Sequence, residues 1–77
     1  MTALNRGDAR DAAARFSSFL AEYPRDARAE DACYLRVLAH QRAGDSAELQ
    51  RAARQYLTRY PAGFRRREVA ALLSAVP

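Results

Sequence analysis

Three consecutive arginines, Arg65, Arg66 and Arg67, form the densest charge cluster in the sequence. A guanidinium offers forked N–H donors to phosphate or carboxylate, so a row of them is suited to an anionic partner. Arg51, Arg54 and Arg59 precede the row and extend it. The charge is one-sided. Residues 1–38 carry six Arg and six acids, and residues 39–77 carry seven Arg and three acids, so the whole net charge of +4 lies in the second half. A plainer reading is a solvated face whose aliphatic stems cover apolar surface. Tyr56 and Tyr60 belong to a predicted core stripe, so the surface aromatics that would stack nucleic-acid bases are missing. Nucleic acid is therefore the less favoured partner.

The other reactive groups are few. Cys33 is the single cysteine. It allows neither an intrachain disulfide nor a cysteine-based zinc site, and reads as a small core or boundary residue. His40, the single histidine, has no metal-ligand partner at helical spacing and no visible acid–base partner. It suits either a groove or a plain helix surface. Tyr23 and Tyr60 each precede a proline, where a ring packs a helix end and leaves its hydroxyl in water. No metal, cofactor or catalytic set is expected, and nothing in the residues supports an enzyme.

The elements that would carry these groups follow from composition. The 77 residues include 18 Ala and eight Leu against three Val, with no Ile, Trp or Lys, which favours helix over sheet. No apolar run approaches the length of a membrane span, and charges at Arg6, Asp8, Arg10, Asp11 and Arg15 interrupt any export signal near the start. Shifting the chain by 37 residues superposes Gly7 on Gly44, Asp8 on Asp45, Leu20 on Leu57, Tyr23 on Tyr60, Pro24 on Pro61, Arg28 on Arg65 and Leu35 on Leu72. None of these identities is Ala, so composition alone does not generate them. The chain is read as one domain, 1–77, with repeat units 7–43 and 44–77.

Each unit reads as helical. Gly7-Asp8 and Gly44-Asp45 combine a left-handed helix-end glycine with an N-cap acid, and Glu48 sits at capping-box distance from Asp45. Ala12, Phe16, Phe19, Leu20 and Tyr23 trace one helical face. Leu49, Ala52, Ala53, Tyr56, Leu57 and Tyr60 trace another. Pro24 and Pro61 end these helices. A helix over about 26–43 presents Ala32, Leu35, Leu38 and Ala39, flanked by Tyr34 and Val37, and one over about 64–76 presents Val69, Leu72, Leu73 and Val76. By the repeat, a further helix belongs before Gly7, of which only Met1–Arg6 remain. The expected fold is all-α with four helices: the second helix of one pair, a whole pair, and the first helix of a third. The two ends then present apolar faces without polar caps, to be covered by a parent chain, by self-association or by a partner protein.

A helix pair with Gly7-Asp8 at its turn, Ala12 behind it and Pro24 at its end resembles a tetratricopeptide repeat (TPR). The strings Phe19-Leu20-Ala21-Glu22-Tyr23-Pro24 and Tyr56-Leu57-Thr58-Arg59-Tyr60-Pro61-Ala62-Gly63 resemble repeat ends of bacterial envelope TPR proteins. These include the outer-membrane assembly lipoprotein and Tol-associated periplasmic families, and similar segments occur in the periplasmic tails of anti-sigma regulators. The resemblance covers residues 7–76. Arg36-Val37 stands where a TPR first helix carries a Leu-Gly pair, and Ala53 replaces the aromatic that Phe16 supplies. The resemblance implies a right-handed stack of antiparallel helix pairs and a non-enzymatic protein–protein interaction module, cut from a longer array. First helices of each pair would line a concave groove. Carried over by register, its residues are Asp31, Tyr34, Leu38, Gln41 and Arg42, joined by Glu68 and Ala71. Arg59, Arg65, Arg66 and Arg67 would meet an anionic partner. The partner is another protein or peptide, or a second copy of the chain. The location is periplasmic if the parent is an envelope TPR protein and cytoplasmic otherwise.

Overall fold

The structure is a computed structural model and describes residues 6–76. The described residues form four helices and no strand: α1 (Arg6–Glu22), α2 (Ala29–Ala43), α3 (Ser46–Arg59) and α4 (Arg66–Ala75). Each packs on its neighbour in the chain, α1 on α2, α2 on α3 and α3 on α4. The expected remnant at Met1–Arg6 lies outside the described residues up to residue 5. The chain from Arg6 onward belongs to α1.

The helix ends show how local chemistry sets the boundaries. Gly44 adopts φ 72°, a left-handed conformation that closes α2, and its N–H donates to the Gln41 carbonyl at 3.1 Å while Asp45 N–H donates to His40 at 3.0 Å. A side chain at that φ would clash with its own backbone, which is why glycine stands there. Asp45 then caps α3, its carboxylate accepting from the Glu48 N–H at 3.4 Å. The same reading fails at Gly7-Asp8. Gly44 is the one glycine with positive φ among the described residues, and Gly7 and Asp8 lie inside α1. Asp8 falls in the first turn, where a carboxylate meets the exposed amides of the helix N-terminus, so it suits the helix interior there as well as a cap.

The two proline loops are local copies of each other. In the first, Tyr23 N–H donates to Phe19, Asp26 to Tyr23, Ala29 to Asp26 and Ala32 to Arg28. In the second, Tyr60 donates to Tyr56, Gly63 to Tyr60, Arg66 to Gly63 and Val69 to Arg65, every partner being 37 residues further on. The rings match too. Phe19 and Tyr23 lie 5.5 Å apart at 43°, Tyr56 and Tyr60 5.4 Å apart at 45°.

The core sits where α2, α3 and α4 meet. It consists of Cys33 and Val37 from α2, Leu49, Ala52, Ala53 and Tyr56 from α3, and Val69 from α4, with Leu20, Tyr34, Leu57, Tyr60, Leu72, Leu73 and Val76 packed around it. The expected stripes of α3 and α4 are found here. Those of α1 and α2 are turned. On α1 the buried residues are Ala9 and Ala13, while Ala12, Phe16, Phe19 and Leu20 are half-buried and Tyr23 is exposed. On α2 the expected Ala32 and Ala39 are buried, Cys33 and Val37 enter the core beside them, Leu38 is half-buried and Leu35 is 41% exposed. The cause is small-residue contact. With Ala9 and Ala13 on α1 and Ala29, Ala32, Ala39 and Ala43 on α2 all buried, the two helices pack through alanines, and the larger side chains are displaced to one flank.

Candidate functional site

That flank is an apolar groove between α1 and α2. One stretch, about 470 Å³ in volume, is lined by Phe16, Phe19, Ala32 and Leu35, with Arg15, Arg28 and Asp31 at its rim. A second stretch of about 300 Å³ shares Phe16 and Leu35 and continues along Ala12, Leu38, Ala39 and Arg42. The Arg28 guanidinium lies over the Phe19 ring at 5.5 Å and pairs with Asp26, whose carboxylate also accepts the Arg28 N–H at 2.8 Å. The pairing holds Asp26 below the ordinary carboxylate value through the Arg28 side-chain hydrogen bond. Of the residues expected to line a binding face, Asp31, Leu38 and Arg42 lie here.

Tyr34 and Glu68 lie on a second surface, between α2 and α4. The Tyr34 hydroxyl donates to Glu68 Oε2 at 2.7 Å, Arg65 donates to Glu68 Oε1 at 2.9 Å, and the Arg65 guanidinium stands over the Tyr34 ring at 5.0 Å. The Tyr34 hydroxyl and Arg65 together hold Glu68 below its ordinary value, and the bond to Glu68 pushes the Tyr34 hydroxyl up. Gln41 lies apart from both sets. It borders a hollow of about 220 Å³ with His40, Leu49, Leu72 and Val76. Ala71 is exposed on α4.

The arginines are dispersed rather than gathered. Arg59 donates to the Pro24 carbonyl and lies 5.9 Å from the Tyr60 ring centre. Arg65 is committed to Glu68 and Tyr34, and Arg66 donates to the Gly63 carbonyl at 3.2 Å. Arg51 pairs with Glu48 at 2.6 Å. Arg67 is exposed and makes no such bond among the described residues.

Two features escape the sequence. One is the polar corner under the second loop. The buried Tyr56 hydroxyl donates to Glu30 Oε2 at 2.8 Å and accepts the Arg65 N–H at 3.0 Å, and Glu30 Oε2 also accepts the Phe64 N–H at 2.9 Å. Burial, then the bond to Glu30, push the hydroxyl up to about 12. A Cβ on Gly63 would lie 2.5 Å from that hydroxyl and 2.7 Å from Glu30 Oε2, so glycine is required by close approach. The second is the setting of Arg36, which donates to Ser17 on α1 and Gln55 on α3 and so bridges three helices. Its Nε and His40 Nδ1 are buried without a protein partner. His40 is half-buried, with its ring bordering the hollow beside Gln41. Burial holds it below the ordinary imidazole value, against the opposite pull of Glu48 and Asp45. Cys33 is buried, and burial pushes its thiol up. Among the described residues no group of His, Cys, Asp and Glu is placed to hold a metal ion, and no helix is long and apolar enough to cross a membrane.

The chain matches no protein-family description, no curated protein and no solved structure. The functional reading therefore rests on the geometry of the groove.

Proposed function

We propose that this chain is a non-enzymatic protein–protein interaction module, a TPR-like stack of helix pairs that binds a helix in the groove between α1 and α2. One observation carries the reading. The groove residues Ala12, Phe16, Phe19, Ala32, Leu35 and Ala39, moved by 37 positions, become Leu49, Ala53, Tyr56, Val69, Leu72 and Val76. These form the face of α3 and α4 against which α2 packs Cys33 and Val37. The molecule thus carries the same face twice, once covered by a helix and once open. Leu35 is 41% exposed where its counterpart Leu72 packs against the core. Covering apolar side chains of this kind is favourable by about 25 cal/mol per Å² removed from water. The resemblance to bacterial envelope TPR repeats supports the same reading and suggests an envelope or regulatory parent.

The test is affinity capture from a bacterial lysate with and without nuclease, using the wild-type chain and Leu35→Glu. A protein retained after nuclease treatment and lost with Leu35→Glu supports the reading. Capture that collapses with nuclease would instead make the Arg-rich second half the binding surface.

A further inference from the structure

We propose that the second proline loop docks on an anionic lipid bilayer. Pro61, Ala62 and Phe64 enter the headgroup region, and Arg59, Arg66 and Arg67 meet the lipid phosphates. None of these residues lines the groove between α1 and α2, so the inference is independent of the reading above.

The two proline loops share a backbone and differ at the tip. The four backbone hydrogen bonds of the first recur 37 residues on in the second, so the turn itself does not require the change. Arg25, Asp26 and Ala27 of the first loop become Ala62, Gly63 and Phe64 of the second. A charged tip is thereby replaced by an apolar one. Phe64 is 94% exposed, and Pro61 and Ala62 are exposed beside it. One apolar side chain on a surface is ordinary, but three within four consecutive residues form a patch. The ring is also held out. Its own N–H is fixed by Glu30 Oε2 at 2.9 Å, and Gly63 before it is packed against the Tyr56 hydroxyl. An aromatic presented on a fixed backbone loses little entropy when it is covered. Pro61, Ala62 and Phe64 line none of the hollows described above, so the tip projects and suits a flat surface.

The charges change in the same unit. Ala29 and Glu30 in the first turn of α2 become Arg66 and Arg67 in the first turn of α4. Residues 59–67 hold four Arg and no acid. Arg65 is spent on Glu68, whereas Arg59 and Arg66 donate to backbone carbonyls and Arg67 makes no such bond. Three guanidiniums at this loop therefore lack a carboxylate among the described residues. The N-terminus of a helix is the positive end of its dipole, so basic residues in the first turn are locally unfavourable. An anion at that end offsets both the dipole and the side chains. A bilayer with anionic lipid supplies phosphates and apolar depth together. A single strand of nucleic acid fits less well, because it stacks on rings in succession. Here Tyr60 packs on Tyr56 and Tyr23 on Phe19, which leaves Phe64 as the free ring of its loop. A stacked base would also leave Pro61 and Ala62 in water.

Co-sedimentation with vesicles tests this, using phosphatidylcholine alone and phosphatidylcholine with phosphatidylglycerol, and single-stranded DNA as the competitor. The wild-type chain is expected to pellet with the phosphatidylglycerol vesicles, far less with phosphatidylcholine alone, and to be released by salt. Phe64→Ser is expected to weaken binding by roughly tenfold, and Arg66→Gln and Arg67→Gln by about fivefold each. All three positions are exposed, so helicity is expected to be retained. Phe64→Trp supplies the one tryptophan of the chain, and its emission is expected to move to shorter wavelength on the anionic vesicles. Leu35→Glu in the groove is expected to bind vesicles as the wild type does. Equal binding to the two kinds of vesicle, binding by Phe64→Ser that matches the wild type, or a Phe64→Trp emission unchanged from water overturns the proposal. Loss of vesicle binding in Leu35→Glu with the fold intact overturns it too, by moving the contact to the groove. Tighter binding to single-stranded DNA than to the anionic vesicles overturns it as well, and makes Phe64 a base-stacking residue.

Discussion

The two ends of the α2 helix pair differ in one respect that decides what each does. At the α3–α4 end, Leu49, Ala53, Tyr56 and Val69 are covered by α2, and the polar atoms that burial would strand find partners in Glu30 and the Arg65 N–H. At the α1–α2 end, Ala12, Phe16, Phe19 and Leu35 repeat the pattern with the hydroxyl removed and the face open. A buried phenol needs its hydrogen bonds, and a phenylalanine at the mouth of an open groove does not. The difference between Tyr56 and Phe19 therefore marks a face closed within the chain against one left open.

The sharpest way to break this comparison is a matched truncation. Tyr56→Ala should cost about 3–5 kcal/mol by opening a cavity in the core, which is most of the stability expected of a small domain. Phe19→Ala should cost under half of that in dilute, monomeric protein, because its ring is already partly in water. Urea denaturation of the two variants measures the gap, and equal losses would mean that the ends are not different. Gly63→Ala comes next. Its methyl would displace the Tyr56 hydroxyl or Glu30, and stranding one of them should cost about 1–3 kcal/mol, read as a lower thermal midpoint and a perturbed Tyr56 signal.

His40 offers a smaller effect with a definite sign. Its folded pKa is below its unfolded value near 6.5 because the ring is partly buried. The unfolded chain then binds the proton more readily, so stability is full above about pH 6.5 and falls as the pH drops through the unfolded value toward the folded one. Urea midpoints at several pH values in that window should decline for the wild type more than for His40→Gln. The smallest expected effect is Leu35→Glu on the fold itself, within about 0.5 kcal/mol in dilute solution, since that side chain is 41% exposed. Its effect should appear in binding, and a large loss of stability would show that Leu35 belongs to the core.

Much of this architecture was legible in the residues because punctuation is local. Pro24, Pro61, Gly44 and Asp45 act through their own φ, missing N–H or short carboxylate, and the helices end beside them. Gly7-Asp8 has the same letters but sits within α1, because glycine permits a left-handed turn without compelling one. The faces were less legible. Periodicity places Phe16, Leu35 and Leu38 on apolar stripes without saying whether a neighbour covers them, and alanine-to-alanine packing of α1 on α2 turned the stripes toward the groove. The Arg row looked like one surface in the sequence. Helical spacing and the second loop instead send Arg65 to Glu68, Arg66 to Gly63 and Arg67 outward. The Glu30–Tyr56 corner joins residues 26 apart and leaves no short-range signal.

The most direct measurement is an amide NMR titration of the ¹⁵N-labelled chain with the protein retained in the affinity capture, repeated with Leu35→Glu as the control. The account predicts concentration-dependent shifts at the groove residues Ala12, Phe16, Phe19, Leu35 and Leu38, with the Arg51 and Arg54 region of α3 unchanged. Shifts centred on the arginines of α3, or an unperturbed spectrum at millimolar concentration, would contradict it.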